Sequence, residues 1–118
     1  MPTDRHINYL ELPAADLAAV KRFYGDAFGW RFKDWGPDYV SFEGAGIDGG
    51  FRGDGAVRPA TPGTGVLVVI YANDLEETLR RVESAGAAIV RPIFSFPGGR
   101  RFHFRDPAGN ELAVWSEQ

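Results

Sequence analysis

Apolar and polar positions along this chain follow the same order twice. An apolar, strand-like run over residues 7–12 is followed by a short break and by Asp16-Leu17, which begins an amphipathic helix. The same order returns over 66–71 and Asp74-Leu75, 58 positions later. Because each half is too short to cover its own apolar face, the two halves are expected to pack together and to enclose a cleft.

The first half has clear signals for one helix and four strands. Asp16 can cap a helix that runs to about Phe28, and Gly29 suits the left-handed residue that ends it. The apolar positions Leu17, Val20 and Tyr24 fall on one helical face. The strands are predicted over 7–12, 30–35, 39–43 and about 49–52.

The second half repeats that order. Asp74 and Glu77 resemble a capping box, and the helix that they begin is predicted to end at Gly86. The nearly unbroken apolar run over 66–71 suggests a strand covered on both faces. Further strands are predicted over 88–93, 101–105 and 111–115, the last two joined by the turn at 106–109.

These elements predict one α+β domain over 1–118. It comprises a first βαβββ module over 6–52, a Gly- and Pro-rich linker over 53–64 and a second βαβββ module over 65–116. The alternative is a ferredoxin-like repeat, which has two strands after the first helix of each half where this chain has three. The region 30–52 decides between them, and three strands are predicted there.

The charge and composition of the chain exclude several classes of function. The net charge is −3, and no basic run exceeds Arg100-Arg101, which argues against nucleic-acid binding. There is no cysteine, so thiolate ligands and a cysteine nucleophile are excluded. No apolar stretch approaches the roughly 20 residues that span a bilayer, and no signal peptide is evident at the N-terminus. We therefore expect a cytoplasmic protein that does not associate with membranes.

Two groups of residues resemble the motifs of a known family. One is Arg22-Phe23-Tyr24 with Phe28-Gly29-Trp30 at the end of the first helix, and the other is the run 104–112, FRDPAGNEL. With the paired βαβββ modules, these residues resemble the vicinal oxygen chelate superfamily of glyoxalases, bleomycin-resistance proteins and extradiol dioxygenases. The resemblance covers about residues 6–116. It implies two modules that curl their sheets into an open, barrel-like cleft, commonly in a homodimer.

Enzymes of that superfamily hold a divalent metal with four side chains, and the resemblance places those positions here. Tyr9 and Leu67, each seven residues before the helix-opening Asp, stand at two of them, and Ala113 stands at a third. The fourth lies near Gly50-Phe51. Leucine and alanine offer no donor atom and a neutral phenol is a poor ligand, so we expect no metal and no other cofactor.

Strand alternation predicts what faces the cleft instead. The predicted ligand-binding residues are Tyr9, Glu11, Phe51, Leu67, Tyr71, Glu111, Ala113 and Trp115. Aromatic walls with two carboxylates near the rim are typical of small-molecule sites. The competing interpretation is that these side chains simply fill the interior.

The sequence therefore predicts a metal-independent protein that binds a small hydrophobic or aromatic molecule, and a homodimer is expected. The alternative is a lyase, isomerase or dioxygenase-like enzyme that uses Glu11, His103 or Glu111 as acid or base. These three side chains could also converge on an off-pattern metal ion. Neither a nucleic acid nor a membrane is expected as a partner.

Overall fold

Two helices and eight strands follow one another in the order βαβββ-βαβββ in the computed structural model, which describes residues 2–55, 57–61 and 63–118. The elements are β1 (Tyr9–Pro13), α1 (Leu17–Phe28), β2 (Arg31–Asp34), β3 (Tyr39–Glu43), β4 (Asp48–Arg52), β5 (Val68–Tyr71), α2 (Leu75–Ser84), β6 (Ala88–Phe96), β7 (Gly99–Arg105) and β8 (Glu111–Ser116).

Each half forms its own four-stranded sheet, and the two sheets have the same topology. The strand orders are β1-β4-β3-β2 and β5-β8-β7-β6. In each sheet the first strand runs parallel to the last, and the other pairs are antiparallel. The sheets do not close into a barrel, so the cleft is open. The α+β fold predicted from the sequence is confirmed, and three strands after α1 exclude the ferredoxin-like alternative.

Local capping explains where both helices begin. The Asp16 side chain accepts a hydrogen bond from the backbone N–H of Ala19 at 3.1 Å, and Asp74 does the same for Glu77 at 3.0 Å. Gly29 ends α1 with φ of 75°, a conformation that suits glycine. No helix among the described residues is long and apolar enough to cross a membrane.

Helix α1 supplies the centre of an aromatic core that both halves share. The Tyr24 ring stacks on Trp30 at a centroid distance of 4.5 Å, on the side of the first sheet. Phe23 and Phe28 contact Phe104 of β7, at 5.7 and 6.0 Å. Each sheet therefore packs one face on the helices and leaves much of the opposite face open.

A buried polar contact joins the two halves. The Tyr24 hydroxyl donates to Asp106 Oδ2 at 2.8 Å, and Asn110 Nδ2 donates to the Pro13 carbonyl oxygen at 2.9 Å. Burial raises the pKa of the Asp106 carboxyl, against the opposing effect of the hydrogen bonds from Tyr24, Asn110 and Ala108. The turn at 106–109 thus anchors the second module to α1 and to the end of β1.

The prediction for the strand at 66–71 is wrong in two respects. The strand begins at Val68, and Val66 before it is 86% exposed. Val69 is 43% exposed because the helices cover only one face of the second sheet. An apolar run here indicates a strand with one open apolar face, and not one buried on both sides.

Candidate functional site

Two tyrosines meet over a glycine on the open face of the first sheet. The hydroxyls of Tyr9 on β1 and Tyr39 on β3 are hydrogen-bonded at 2.5 Å. Gly50 of β4 lies beneath them, and a Cβ atom there would stand 2.7 Å from the Tyr9 hydroxyl and still closer to that of Tyr39. The absence of a side chain at position 50 therefore allows the two rings to fold over the sheet.

These tyrosines border a cavity of about 560 Å³ on the same face. Its other walls include Trp35, whose Nε1 donates to Ser41 Oγ at 2.8 Å, and Lys33, whose Nζ lies 4.1 Å from the Trp35 ring centroid. The volume is in the range of small-molecule sites, and the walls combine aromatic surface with hydroxyl groups.

Glu11 lies beside this cavity and is already engaged. Its carboxylate is 3.6 Å from the Arg52 guanidinium and lies near the Tyr39 hydroxyl. Burial, the hydrogen bond to Tyr9 and the nearby carboxylate of Glu11 together raise the pKa of Tyr39. Tyr39 therefore remains a neutral phenol near neutral pH and acts as a hydrogen-bonding group, not as a base.

The open face of the second sheet carries a separate aromatic cluster. Tyr71 and Trp115 meet edge to face at a centroid distance of 5.0 Å, and Phe96 lies 6.2 Å from Trp115. Ala113 is fully buried between Val69 and His103 of the neighbouring strands.

His103 and Glu111 form a pair on that second sheet. His103 Nδ1 lies 2.8 Å from Glu111 Oε2, and the backbone N–H of Gly63 donates to Glu111 Oε1 at 2.9 Å. The hydrogen bond from His103 is the main cause that lowers the pKa of Glu111, with a contribution from Gly63. Both carboxylate oxygens are thus occupied.

A second cavity of about 460 Å³ lies between this pair and the linker. Leu67 lines it with Arg91, His103 and Glu111, and the end of β1 contributes Leu12 and Pro13.

The residues predicted to share one cleft therefore fall into separate groups. Tyr9 and Glu11 lie on the first sheet. Leu67, Tyr71, Glu111, Ala113 and Trp115 share one face of the second sheet, and of these Leu67 and Glu111 line the cavity beside the linker. The prediction that Phe51 faces the cleft must be corrected. This residue is fully buried against Tyr24 and Phe42, because the residue after Gly50 must point to the helical side of the strand.

The positions that the superfamily uses for its metal do not fit one in this chain. Leu67 and Ala113 have no donor atom, Gly50 has no side chain, and the Tyr9 hydroxyl is bonded to Tyr39. Among the described residues, no three His, Asp or Glu side chains lie close enough together to hold a metal ion. Glu11 in particular lies on a different sheet from His103 and Glu111.

Sequence reasoning missed three residues that border the first cavity, namely Trp35 just after β2, and Tyr39 and Ser41 on β3. Candidates came only from the strands that carry metal ligands in the superfamily. The alternation of Tyr39, Ser41 and Glu43 with buried Val40 and Phe42 could have placed Tyr39 and Ser41 on the open face.

Comparison with known proteins agrees with this architecture. The family model of the Glyoxalase/Bleomycin resistance protein/Dioxygenase superfamily matches residues 6–114 of this chain. The anthracycline biosynthesis protein DnrV of Streptomyces peucetius is 32% identical over 91% of this chain and 45% of its own length. The putative glyoxylase CFP32 of Mycobacterium bovis is 27% identical over 92% of this chain and 44% of its own length.

A crystal structure of a glyoxalase-related enzyme from Fulvimarina pelagi superposes with a TM-score of 0.78. It is 22% identical and covers 95% of this chain and 88% of its own, which shows the same fold. Because the family model matches residues 6–114, the chain belongs to the glyoxalase/bleomycin resistance protein/dioxygenase superfamily. It spans a little under half the length of the two curated relatives named above.

Proposed function

We propose that this protein binds a small, largely aromatic molecule in the cavity on the open face of the first sheet, without a metal ion. The observation that carries the proposal is the cavity of about 560 Å³ that Tyr9, Trp35 and Tyr39 border. Tyrosine and tryptophan rings supply large contact areas at a low cost in side-chain entropy. The hydroxyls of Tyr9, Tyr39 and Ser41 can direct the polar groups of a flat ligand.

The expected ligand is a planar aromatic compound with hydroxyl or carbonyl substituents. A ring can pack against the Trp35 indole, and its oxygens can reach the tyrosine hydroxyls. The similarity to a protein named for anthracycline biosynthesis is consistent with a flat ligand. A hydroxyanthraquinone such as 1,8-dihydroxyanthraquinone is therefore a suitable first probe.

Calorimetric titration with that probe tests the proposal. We expect Trp35→Ala to weaken binding by about tenfold, since a stacked aromatic pair contributes about 0.5–1.5 kcal/mol beyond its buried area. Gly50→Ala should weaken it similarly, because the added methyl group displaces the hydroxyls of Tyr9 and Tyr39. The matched control is Trp115→Ala, which removes the same side chain from the second sheet.

The outcome separates the two sheets. A loss of affinity in the Trp35 variant with the Trp115 variant unchanged supports the first cavity. The reverse result would place the ligand on the second sheet, on the residues predicted from the sequence. No binding of hydroxylated aromatics by the wild-type protein would refute the proposal.

A separate measurement tests whether ligand binding is independent of a metal ion. We expect the affinity for the probe to be the same before and after dialysis against a chelator. One equivalent of a transition metal per chain in protein purified without chelator, with binding lost on its removal, would contradict this.

We also propose a homodimer, since the two open faces leave large side chains exposed. Tyr9 is 44%, Trp35 58% and Tyr71 46% exposed in the single chain. Surface of this kind is commonly covered by a partner or a ligand. Light scattering coupled to gel filtration should give about twice the chain mass of 13.0 kDa, and a monomer would refute it.

A further inference from the structure

We propose that the cavity between the linker and the second sheet binds the carboxylate of a small hydrophobic acid, held by His103 and Arg91. This site is separate from the aromatic site proposed on the first sheet. The cavity of about 460 Å³ is large enough for a compact organic acid.

The first observation is a buried nitrogen that lacks a hydrogen-bond partner. Within the described part of the chain, only two buried side-chain polar atoms have none, Arg101 Nε and His103 Nε2. His103 is 6% exposed and lines the cavity. Such an atom is uncommon in a folded protein, because a buried polar group without a partner costs about 1–3 kcal/mol.

The partner of the other ring nitrogen indicates what His103 Nε2 can bind. The Glu111 carboxylate lies 2.8 Å from His103 Nδ1, which fixes the proton on that nitrogen. In the neutral ring Nε2 then accepts a hydrogen bond, and in the protonated ring it donates one. An acid satisfies both cases, since its proton can lie on the ligand oxygen or on Nε2 and the hydrogen bond forms either way.

Two other polar side chains of the cavity, Glu111 and Asn110, are already engaged. Glu111 Oε1 accepts from Gly63, and Asn110 Nδ2 donates to the Pro13 carbonyl oxygen. His103 Nε2 and the Arg91 guanidinium are therefore the groups best placed to hold an anionic ligand.

Arg91 provides the charge that a carboxylate needs. It lies opposite His103 in the register of β6 and β7, and it lines the same cavity. Its guanidinium carbon stands 3.7 Å from the Phe94 ring centroid, and no described carboxylate forms an ion pair with it. A guanidinium held against an aromatic ring keeps its N–H groups in a plane suited to a carboxylate.

The remaining walls determine the rest of the ligand. They are apolar, with Leu12, Pro13, Val66 and Leu67 among them. A carboxylate on a short aliphatic or alicyclic body therefore matches the cavity. A cationic ligand would be repelled by the positive charge of Arg91. The second charge near the pair, Arg105, lies opposite Glu111 in the register and also disfavours a cation.

Calorimetric titration with cyclohexanecarboxylate, against cyclohexanecarboxamide as the uncharged control, tests the proposal. We expect the carboxylate to bind at least about tenfold more tightly than the amide. Arg91→Gln should weaken the carboxylate by about tenfold and the amide little. Arg81→Gln on the exposed surface of α2 makes the same change in charge and should leave both affinities unchanged.

A spectroscopic measurement on the unmodified protein keeps the test independent of folding in the variants. The chain has two histidines, and His6 is exposed near the N-terminus. In ¹⁵N spectra of the histidine rings, the carboxylate should shift Nε2 of His103 and leave His6 unchanged. Equal affinities for acid and amide, equal effects of the Arg91 and Arg81 changes, or an unshifted His103 signal would each overturn the proposal. Trp35→Ala should not alter any of these results, so this site and the aromatic site can fail separately.

Discussion

Removal of the Tyr24 hydroxyl tests the contact that joins the two halves. Tyr24 is fully buried, and its hydroxyl donates to Asp106 Oδ2 at 2.8 Å across 82 positions of sequence. A hydrogen bond to a charged group contributes about 1.5–3 kcal/mol. Asp106 keeps its bonds from Ala108 and Asn110, including the 3.2 Å bond from Asn110 Nδ2 to the same oxygen. We therefore expect Tyr24→Phe to lower the free energy of unfolding by about 2 kcal/mol.

The effect should depend on pH with a definite sign. Burial raises the pKa of Asp106 above the usual value of 3.8 for an aspartate, and the hydrogen bond from Tyr24 opposes that rise. Without the hydroxyl, the pKa of folded Asp106 rises further, so ionising the group in the folded state costs more. The cost of the substitution is therefore largest above the folded pKa. It falls on acidification, as the folded carboxyl becomes protonated in both proteins.

Urea unfolding at about pH 8 and about pH 4.5 gives both quantities, provided that the wild-type protein stays folded at each. At the higher pH the melting temperature should fall by about 6–10 °C. Tyr39→Phe is the control, since it removes the same atom from a half-buried ring whose hydroxyl is accessible to water. A cost below about 0.5 kcal/mol, or one that grows on acidification, would refute the reasoning.

Two further predictions concern the core and the second sheet. Phe51→Ala should lower the free energy of unfolding by about 3–5 kcal/mol in denaturant, because it leaves a cavity between Tyr24 and Phe42. A cost under about 1 kcal/mol would mean that Phe51 faces the open side of the sheet. Glu111→Gln should cost about 1–2 kcal/mol near neutral pH. Because the folded pKa of Glu111 is lowered from 4.5, its contribution is present above that value and is lost as the pH falls through the folded pKa. The unfolding curves of this variant and of the wild-type protein should therefore converge in acid, and a constant gap would contradict the assignment.

The elements with strong local signals were predicted well from the sequence. The Asp-Leu pairs at 16–17 and 74–75 mark both helix starts, and Gly29 marks the end of the first helix. Capping depends on residues within one turn, so one sequence contains all of the information that it needs. The repeat of these signals was enough to predict that both halves would have the same order of elements, βαβββ.

The site was harder to predict because it depends on contacts between distant residues. Phe51 was assigned to the open face because the resemblance located the metal position only to the pair 50–51, and that uncertainty of one residue reverses the face. The bond from Gly63 to Glu111 joins the linker to a strand 48 positions away, and nothing local predicts it. Whether Tyr9 and Trp115 would share a cleft depended on how the two halves are placed, which alternation within a strand does not determine.

The glycine at position 50 also limits how this protein could be redesigned. Any larger residue there would have to push aside the phenol rings of Tyr9 and Tyr39 before it could project from the sheet. Engineering a metal-binding carboxylate into this chain would therefore need at least three coordinated replacements on one face. A carboxylate introduced at position 50 alone would displace the tyrosine rings that border the cavity, and so would disrupt the site in which the metal was meant to bind.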